Sequence, residues 1–332
     1  MAHSPSSATP SRRRSRSAGS SATSAPYGPA DFPGCESFHL PESELDRYEG
    51  RLEFWDGRTG TAWKVCEPTT IHHERPVHVL AQVARELAAL RGSPIECLGA
   101  SDLVRVDVGG RKRWLMQADQ VLYLHPGRSR PHGRAIVVGA SPLPDVVLEV
   151  DHSTDVRRRK LSLYEEGGFP EVWVLVTPQS RAGWPRVTVH VLDGGAYRVS
   201  PESAALPGWR AEEIFGALTE NPWTASTRRA VERVARAMGA REGTGPEDDP
   251  LSRSLIREGR AEGRQEGRTE GRREGCAAMV RAALGARGID VSPTFEEALA
   301  RAGAPPAEAL MAAALACTGE ADFLRRVRGS PG

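Results

Sequence analysis

The stretch from Pro144 to Thr177, PDVVLEVDHSTDVRRRKLSLYEEGGFPEVWVLVT, constrains the fold more than any other part of the chain. Asp145–Val150 is a β-branched run that ends in Glu149 and Val150. Thr154–Gly167 is charged and helical, with Leu161, Leu163 and Tyr164 supplying apolar contacts. Gly168-Phe169-Pro170 breaks the helix, and Val172–Val176 is a second buried strand. Strand, helix and strand in that order predict a βαβ-like unit in a mixed sheet. A carboxylate at the end of an apolar strand is costly to bury without a partner. Glu149 and Asp151 lie one strand end and one helix turn from Asp155 and Lys160, which lets the lysine reach the same point in space.

The chain has 332 residues, room for one sizeable core plus appendages. Lys and Arg number 44 against 43 Asp and Glu, so any basic footprint for nucleic acid must be local. The five cysteines form no CxxC pair, and their odd number and wide spacing predict free thiols in a reducing cytosol and no zinc site. No stretch approaches a membrane span. Residues 1–30 carry Arg12, Arg13, Arg14 and Arg16 but no apolar segment, so they read as a disordered arm rather than a secretory signal. The arginines are either solvated or weak phosphate ligands.

Ser43–Tyr48 predicts a short helix capped by Ser43. Leu52–Val65, with a turn at Asp56-Gly57, predicts a hairpin in which Glu53 points away from its apolar neighbours. Thr70–Leu90 predicts a helix, with Val79, Val83, Leu87 and Leu90 at helical spacing and Pro76 in the first turn. His72, His73 and Glu74 fall at its start. Adjacent residues face different sides of a helix, so at most one group from this cluster is expected at a site. Leu103–Val108 and Arg113–Leu124 predict paired strands around Gly109-Gly110. Asp119 stands in the middle of the second, where aspartate is disfavoured; a site role, a bulge or an edge position would each explain it. Arg186–Ser200 predicts a hairpin around Asp193-Gly194-Gly195, and Leu206–Phe215 a closing cap. A basic amphipathic helix over 225–240 and a linker over 241–250 follow.

Residues 257–275 repeat Glu-Gly-Arg-x with a period of four, which winds three slow stripes around a helix. Glycine weakens a lone helix by roughly 1 kcal/mol each. The stripe therefore reads either as a close-approach face for a self-associating stalk or as a solvated linker, with nucleic-acid binding a weaker third reading. Residues 276–327 predict a small helical unit.

Asp119, Asp145, Glu149, Asp151 and Lys160 form the chemical candidates. Two carboxylates on adjacent strands can hold one Mg²⁺, which prefers oxygen ligands and keeps several waters. The cation makes its bound water a better nucleophile, and a nearby lysine stabilises developing charge. By spacing alone, a plain strand-to-helix salt bridge between Glu149 and Lys160 explains the same residues.

Four segments in order resemble the Uma-type restriction endonuclease family of the PD-(D/E)XK nuclease superfamily. They are LEFWDGRTGTAWKV with HHERPVHVLAQVARELAAL, MQADQVLYL, the Pro144–Val176 stretch, and VHVLDGGAYRVSPESAALPGWRAEEIF. They span about residues 40–217. The resemblance implies an α/β fold, a restriction-endonuclease-like mixed sheet of four or five strands flanked by helices 72–90 and 155–167, with a C-terminal helical extension. It implies that Asp119 and Glu149 bind Mg²⁺, with Mn²⁺ as the alternative, and that Lys160 is the catalytic lysine moved onto the helix. Glu53 or Glu74 matches an additional acid. Asp145, Ser153, Asp155 and Tyr164 match positions read as structural or as supports behind the metal ligands, with Tyr164 as packing rather than catalysis. Arg157, Arg158 and Arg159 are either DNA-backbone contacts or a solvated helix face. The sequence departs from the family at Ala118, where a proline is usual, and at Asp151-His152-Ser153 in place of Leu-Ser-Pro; Asp151 reads as a helix cap or a support for the metal ligands. The expected layout is an arm over 1–34, a nuclease domain over 35–222, a basic helix and linker over 223–250, and the repeat helix with its tail over 251–332. The function implied is a cytoplasmic, Mg²⁺-dependent DNA endonuclease. The competing readings are a catalytically silent homo-oligomeric assembly module and an RNA nuclease; none involves a membrane.

Overall fold

A computed structural model gives the fold over residues 27–66, 70–129, 133–152, 154–178, 180, 184–295, 297, 299 and 306–328. Arg12, Arg13, Arg14, Arg16 and Ser153 lie outside the described residues. The strands are β1 Cys35–His39, β2 Phe54–Asp56, β3 Thr61–Val65, β4 Glu96–Val106, β5 Lys112–Tyr123, β6 Ile136–Val138, β7 Val146–Asp151, β8 Glu171–Val176, β9 Arg186–Asp193 and β10 Ala196–Ser200. The helices are α1 Glu42–Leu45, α2 Ile71–Arg91, α3 Pro126–Ser129, α4 Lys160–Gly167, α5 Ala211–Thr219, α6 Ala225–Glu242, α7 Pro250–Ala286, α8 Ala307–Ala316 and α9 Glu320–Arg328.

Contacts divide the chain into two compact units, Met1–Glu86 with Pro94–Val234, and Leu87–Ser93 with Ala235–Gly332. The first unit holds a ten-stranded mixed sheet in the order β1-β3-β2-β5-β7-β8-β9-β10, with β4 beside β5 and β6 beside β4. Only β7–β8 and β4–β6 are parallel among the described pairs. The sheet is thus twice the expected size, because short strands with weak alternation, such as β1 and β6, extend both of its flanks. The predicted strand–helix–strand unit is present as β7, α4 and β8.

Every residue of β7 and β8 is buried, as expected for central parallel strands. One core cluster joins Phe54, Met116, Val121 and Val147 of the sheet to Leu163, Tyr164 and Phe169 on and after α4. Another joins Leu40, Leu45 and Leu52 to Trp55, Ala62, Val104 and Leu115. Phe32, expected in the arm, is 3% exposed and stacks on Phe54 with ring centroids 4.8 Å apart.

α4 begins at Lys160, not at Thr154. The preceding backbone is tied by side chains instead: Asp151 Oδ1 accepts the Val156 N–H at 2.9 Å, and Asp155 Oδ1 accepts that of Arg157 at 3.2 Å. Such side-chain bonds compete with the helical ladder. The helix ends where expected, on left-handed Gly168 (φ +77°). The β9–β10 hairpin closes through Gly194 and Gly195, both at positive φ, between the paired Asp193 and Ala196. Pro76 lies one turn deeper in α2 than expected.

In the second unit, the expected 241–250 linker is structured. It carries a 3₁₀ turn over Pro246–Asp248, and Thr244 Oγ1 donates to the Arg91 carbonyl at 2.7 Å. Gly92 sits at φ +79°, and a Cβ there would lie 1.8 Å from the Gly245 carbonyl oxygen. Buried Arg91 forks onto Glu242, with Nε and Nη2 at 2.8 and 2.6 Å. The repeat forms one continuous helix in α7, capped by the Asp249 side chain on the Ser252 N–H. Its C-terminal end joins a small core with Val280, Leu284, Phe295, Leu310 and Phe323. Among the described residues no helix is long and apolar enough to cross a membrane.

Candidate active site

β5 supplies the floor of the site because one of its edges is shared. β4 runs along the other edge, while β2 pairs with Trp114–Met116 and β7 with Gln120–Leu122. Gln117–Asp119 is left between them without a strand partner on that edge. Side chains fill the gap. The Gln117 carbonyl accepts from Lys160 Nζ at 2.7 Å, its side-chain oxygen accepts the Leu52 N–H at 2.9 Å, and Asp119 Oδ2 accepts the Val150 N–H at 2.7 Å. The core-facing series Trp114, Met116, Ala118 resumes as Val121, Tyr123, so the alternation slips by one residue at Asp119–Gln120. Ala100, on the neighbouring strand, has φ +31°. The polar residue in mid-strand marks this slip.

Asp119 stands one residue before Gln120 on β5 and Glu149 one residue after Leu148 on β7, beside the last antiparallel pair of the two strands. They are 4% and 2% exposed, and both line a cleft of about 380 Å³. Arg51, Glu53, His73 and His152 line it with them. Lys160 Nζ, 1% exposed, lies 2.9 Å from Glu149 Oε2 and 3.4 Å from Glu53 Oε1. The ammonium donates to the Gln117 carbonyl and to Glu149, and pairs by charge with Glu53. Tyr164 donates its hydroxyl to Glu149 Oε1. Asp119 Oδ1 receives Arg51 Nη2 and lies 3.3 Å from His73 Nε2. Glu74 Oε1 accepts at 3.1 Å from His73 Nδ1 and lies 3.8 Å from Arg51 Nη1.

Burial alone would raise the Asp119 pKa. The hydrogen bond and charge of His73, with Arg51 and Lys160, instead hold it well below the usual carboxylate range. Glu149 moves the other way: burial raises its pKa, Lys160 opposes the rise, and the Asp119 and Glu53 charges add to it. Burial works against the charge of Lys160, but Glu149, Glu53 and Asp119 outweigh it and keep the lysine firmly protonated.

Asp119, Glu149 and Glu53 therefore line one cleft, with Lys160 buried against Glu149 and Glu53 and with Glu74 held against His73 and Arg51. Asp145 does not join them; its Oδ2 accepts the Leu124 N–H at 2.7 Å and ties the far end of β7. Asp151 is fully buried under the turn before α4, with Arg157 Nε 3.7 Å from Oδ2. Arg157 and Arg158 pair with Asp155 at 2.7 and 3.5 Å, and Arg159 pairs with Glu166 at 3.3 Å and covers the Tyr27 ring. None of the three is among the residues lining the cleft. Of the helix-entry cluster, His73 and Glu74 face Asp119 and Arg51, while the His72 ring lies 6.0 Å from that of His152. Arg51 has no counterpart in the sequence reading; an arginine entering a strand carries no pattern of its own.

Asp119, Glu149 and Glu53 are hard oxygen donors of the type Mg²⁺ takes, and Mg²⁺ needs only one or two protein carboxylates beside waters and substrate oxygens. Among the described residues no group of three or more His, Cys, Asp or Glu forms a ready metal cage. The donor set fits a cation that completes its shell with water and phosphate.

A family model described as "Uma2: Putative restriction endonuclease" matches residues 36–237. No curated protein matches the chain. Among solved structures, the chain is similar to the crystal structure of a putative nuclease belonging to DUF820 from Anabaena variabilis, at 9% identity and a TM-score of 0.37, over 54% of this chain and 99% of that one. The family match spans more than half of the sequence, and the chain belongs to the Uma2 restriction endonuclease family.

Proposed function

We propose that the protein is a divalent-cation-dependent endonuclease that hydrolyses DNA phosphodiester bonds. The carrying observation is that Asp119, in the gap between β2 and β7 along the edge of β5, and Glu149 of β7 line one cleft. Family membership supports nuclease activity, and the restriction-endonuclease description supports DNA over RNA as substrate. Asp119 and Glu149 would hold Mg²⁺ or Mn²⁺. The bound cation supplies an activated water and offsets the charge that develops on the phosphate. Lys160 acts as a positioning residue in this arrangement: its ammonium bridges Glu149 and Glu53 and favours the ionised form of Glu149. Tyr164 fixes the other oxygen of Glu149. Arg158, the most exposed of the arginine triplet, is the one best placed to meet backbone phosphates in solvent.

The free thiols at all five cysteines support a reducing, cytoplasmic setting. Self-association through α7 belongs to the same reading as an accompanying property. The second reading, a silent assembly module, draws on the fact that both carboxylates already have internal partners.

The test is cleavage of plasmid DNA, single-stranded DNA and RNA with Mg²⁺, Mn²⁺ or EDTA. The wild type is compared with Asp119→Ala, Glu149→Ala and Lys160→Ala. Cation-dependent nicking that falls by about 10³-fold or more in the two acid variants supports the reading. Nicking that survives both substitutions rejects the site. No cleavage under any condition favours the assembly module.

A further inference from the structure

The two oxygens of Asp119 have different partners. Its Oδ2 accepts the Val150 N–H at 2.7 Å, on the side of β7. Arg51 Nη2 occupies Oδ1, with His73 Nε2 at 3.3 Å from the same oxygen. A divalent cation that binds Asp119 through Oδ1 must therefore displace or share with the Arg51 guanidinium.

Charge gives the guanidinium a reason to be there. Asp119, Glu149 and Glu53 are buried around one lysine. An added cation offsets this excess of carboxylates, and a bound dication makes that offset redundant. Arg51 has room on its solvent side: its side chain is 35% exposed and it lines the cleft. Its second nitrogen, Nη1, is 3.8 Å from Glu74 Oε1, too far for a tight hydrogen bond. Arg51 lines the cleft, and a planar guanidinium fork matches the non-bridging oxygens of a phosphodiester.

We propose that Arg51 is an exchangeable placeholder: it covers Asp119 Oδ1 in the cation-free protein and moves onto a substrate phosphate when a divalent cation takes that oxygen. The inference rests on the nuclease reading of the same cleft. It makes Arg51 a competitor of the metal and a ligand of the nucleic acid at once, a pair of effects with opposite signs that a purely structural arginine would not produce.

The experiment measures two equilibria on the full-length chain. Mn²⁺ affinity is read by electron paramagnetic resonance of the free ion. Affinity for a short DNA duplex is read in Ca²⁺ across a salt series. Arg51→Ala is expected to tighten Mn²⁺ binding by about tenfold, the effect of removing one competing charge from a partly screened carboxylate. The same variant is expected to weaken the duplex and to reduce its salt slope by about 0.9, one phosphate contact. Arg51→Met keeps the stem and carries the same expectation should Arg51→Ala not fold. Wild-type Mn²⁺ binding that is unchanged or weaker in these variants overturns the placeholder alone. An unchanged salt slope overturns the phosphate half of the proposal. No Mn²⁺ binding in wild type or variants overturns both the placeholder and the nuclease reading.

Discussion

Asp151 shows how a single buried carboxyl sets a pH dependence. Burial pushes its pKa up to about 7 from 3.8, against the Val156 N–H and the Arg157 charge that favour its ionised form. Between those values the folded protein keeps a proton that the unfolded chain has released. Stability therefore falls as pH rises through this window, and the whole cost is present above about pH 7. Asp151→Asn keeps an oxygen for the Val156 N–H and removes the charge. It is expected to stabilise the fold by on the order of 2–4 kcal/mol above the window and by little near pH 4, read by urea denaturation at both ends. An equal effect at both pH values would contradict the account. At this same scale the sequence was partly legible. Asp119, Glu149 and Lys160 stand in recognisable motif positions, and a depleted aspartate in a strand is visible without a structure. Arg51 is not visible, and of His73 only its place in the helix-entry cluster is, because their meeting with Asp119 depends on contacts across 68 and 46 residues of chain that no local pattern encodes. Tyr164 was read as packing because its spacing from Lys160 is that of any helical face; its hydroxyl contact to Glu149 is a matter of depth, which spacing does not report.

Among the elements, β5 does the most. Its length lets β2 and β7 share one edge, and the gap between them exposes backbone and side-chain groups that an unbroken ladder would consume. Periodicity showed the strand but not the gap, since the gap depends on where two other strands stop. The charged stretch from Thr154 reads as helix for a related reason: Asp151 and Asp155 bind the backbone of Val156 and Arg157 as turns, and α4 starts only at Lys160. α7 presents the opposite case, a helix that persists despite the five glycines of its repeat, Gly259, Gly263, Gly267, Gly271 and Gly275. A Cβ at each of them would meet nothing within 4 Å. Replacing all five with alanine is expected to raise local helix stability by about 1 kcal/mol per site, read as slower amide exchange over 255–280. Faster exchange, or loss of a dimer seen in the wild type, would mean that the stripe is a contact face and that its glycines are needed for close approach.

For the molecule as a whole, the strand–helix–strand stretch was enough to predict a mixed α/β sheet with helices and a helical extension. The size of the sheet and the edges of the two units were not legible. Phe32 joins the core from a Ser- and Pro-rich segment, and Thr244 and Gly245 pack inside what reads as a linker, because a few tight contacts outweigh composition. The central claim is that this architecture brings Asp119 and Glu149 together to hold one divalent cation. Anomalous diffraction from crystals grown with Mn²⁺ tests it most directly. The account predicts a single strong peak about 2.2 Å from a carboxylate oxygen of each residue, with Arg51 turned away from Asp119. A peak bound elsewhere, or none while Arg51 still covers Asp119, would contradict it.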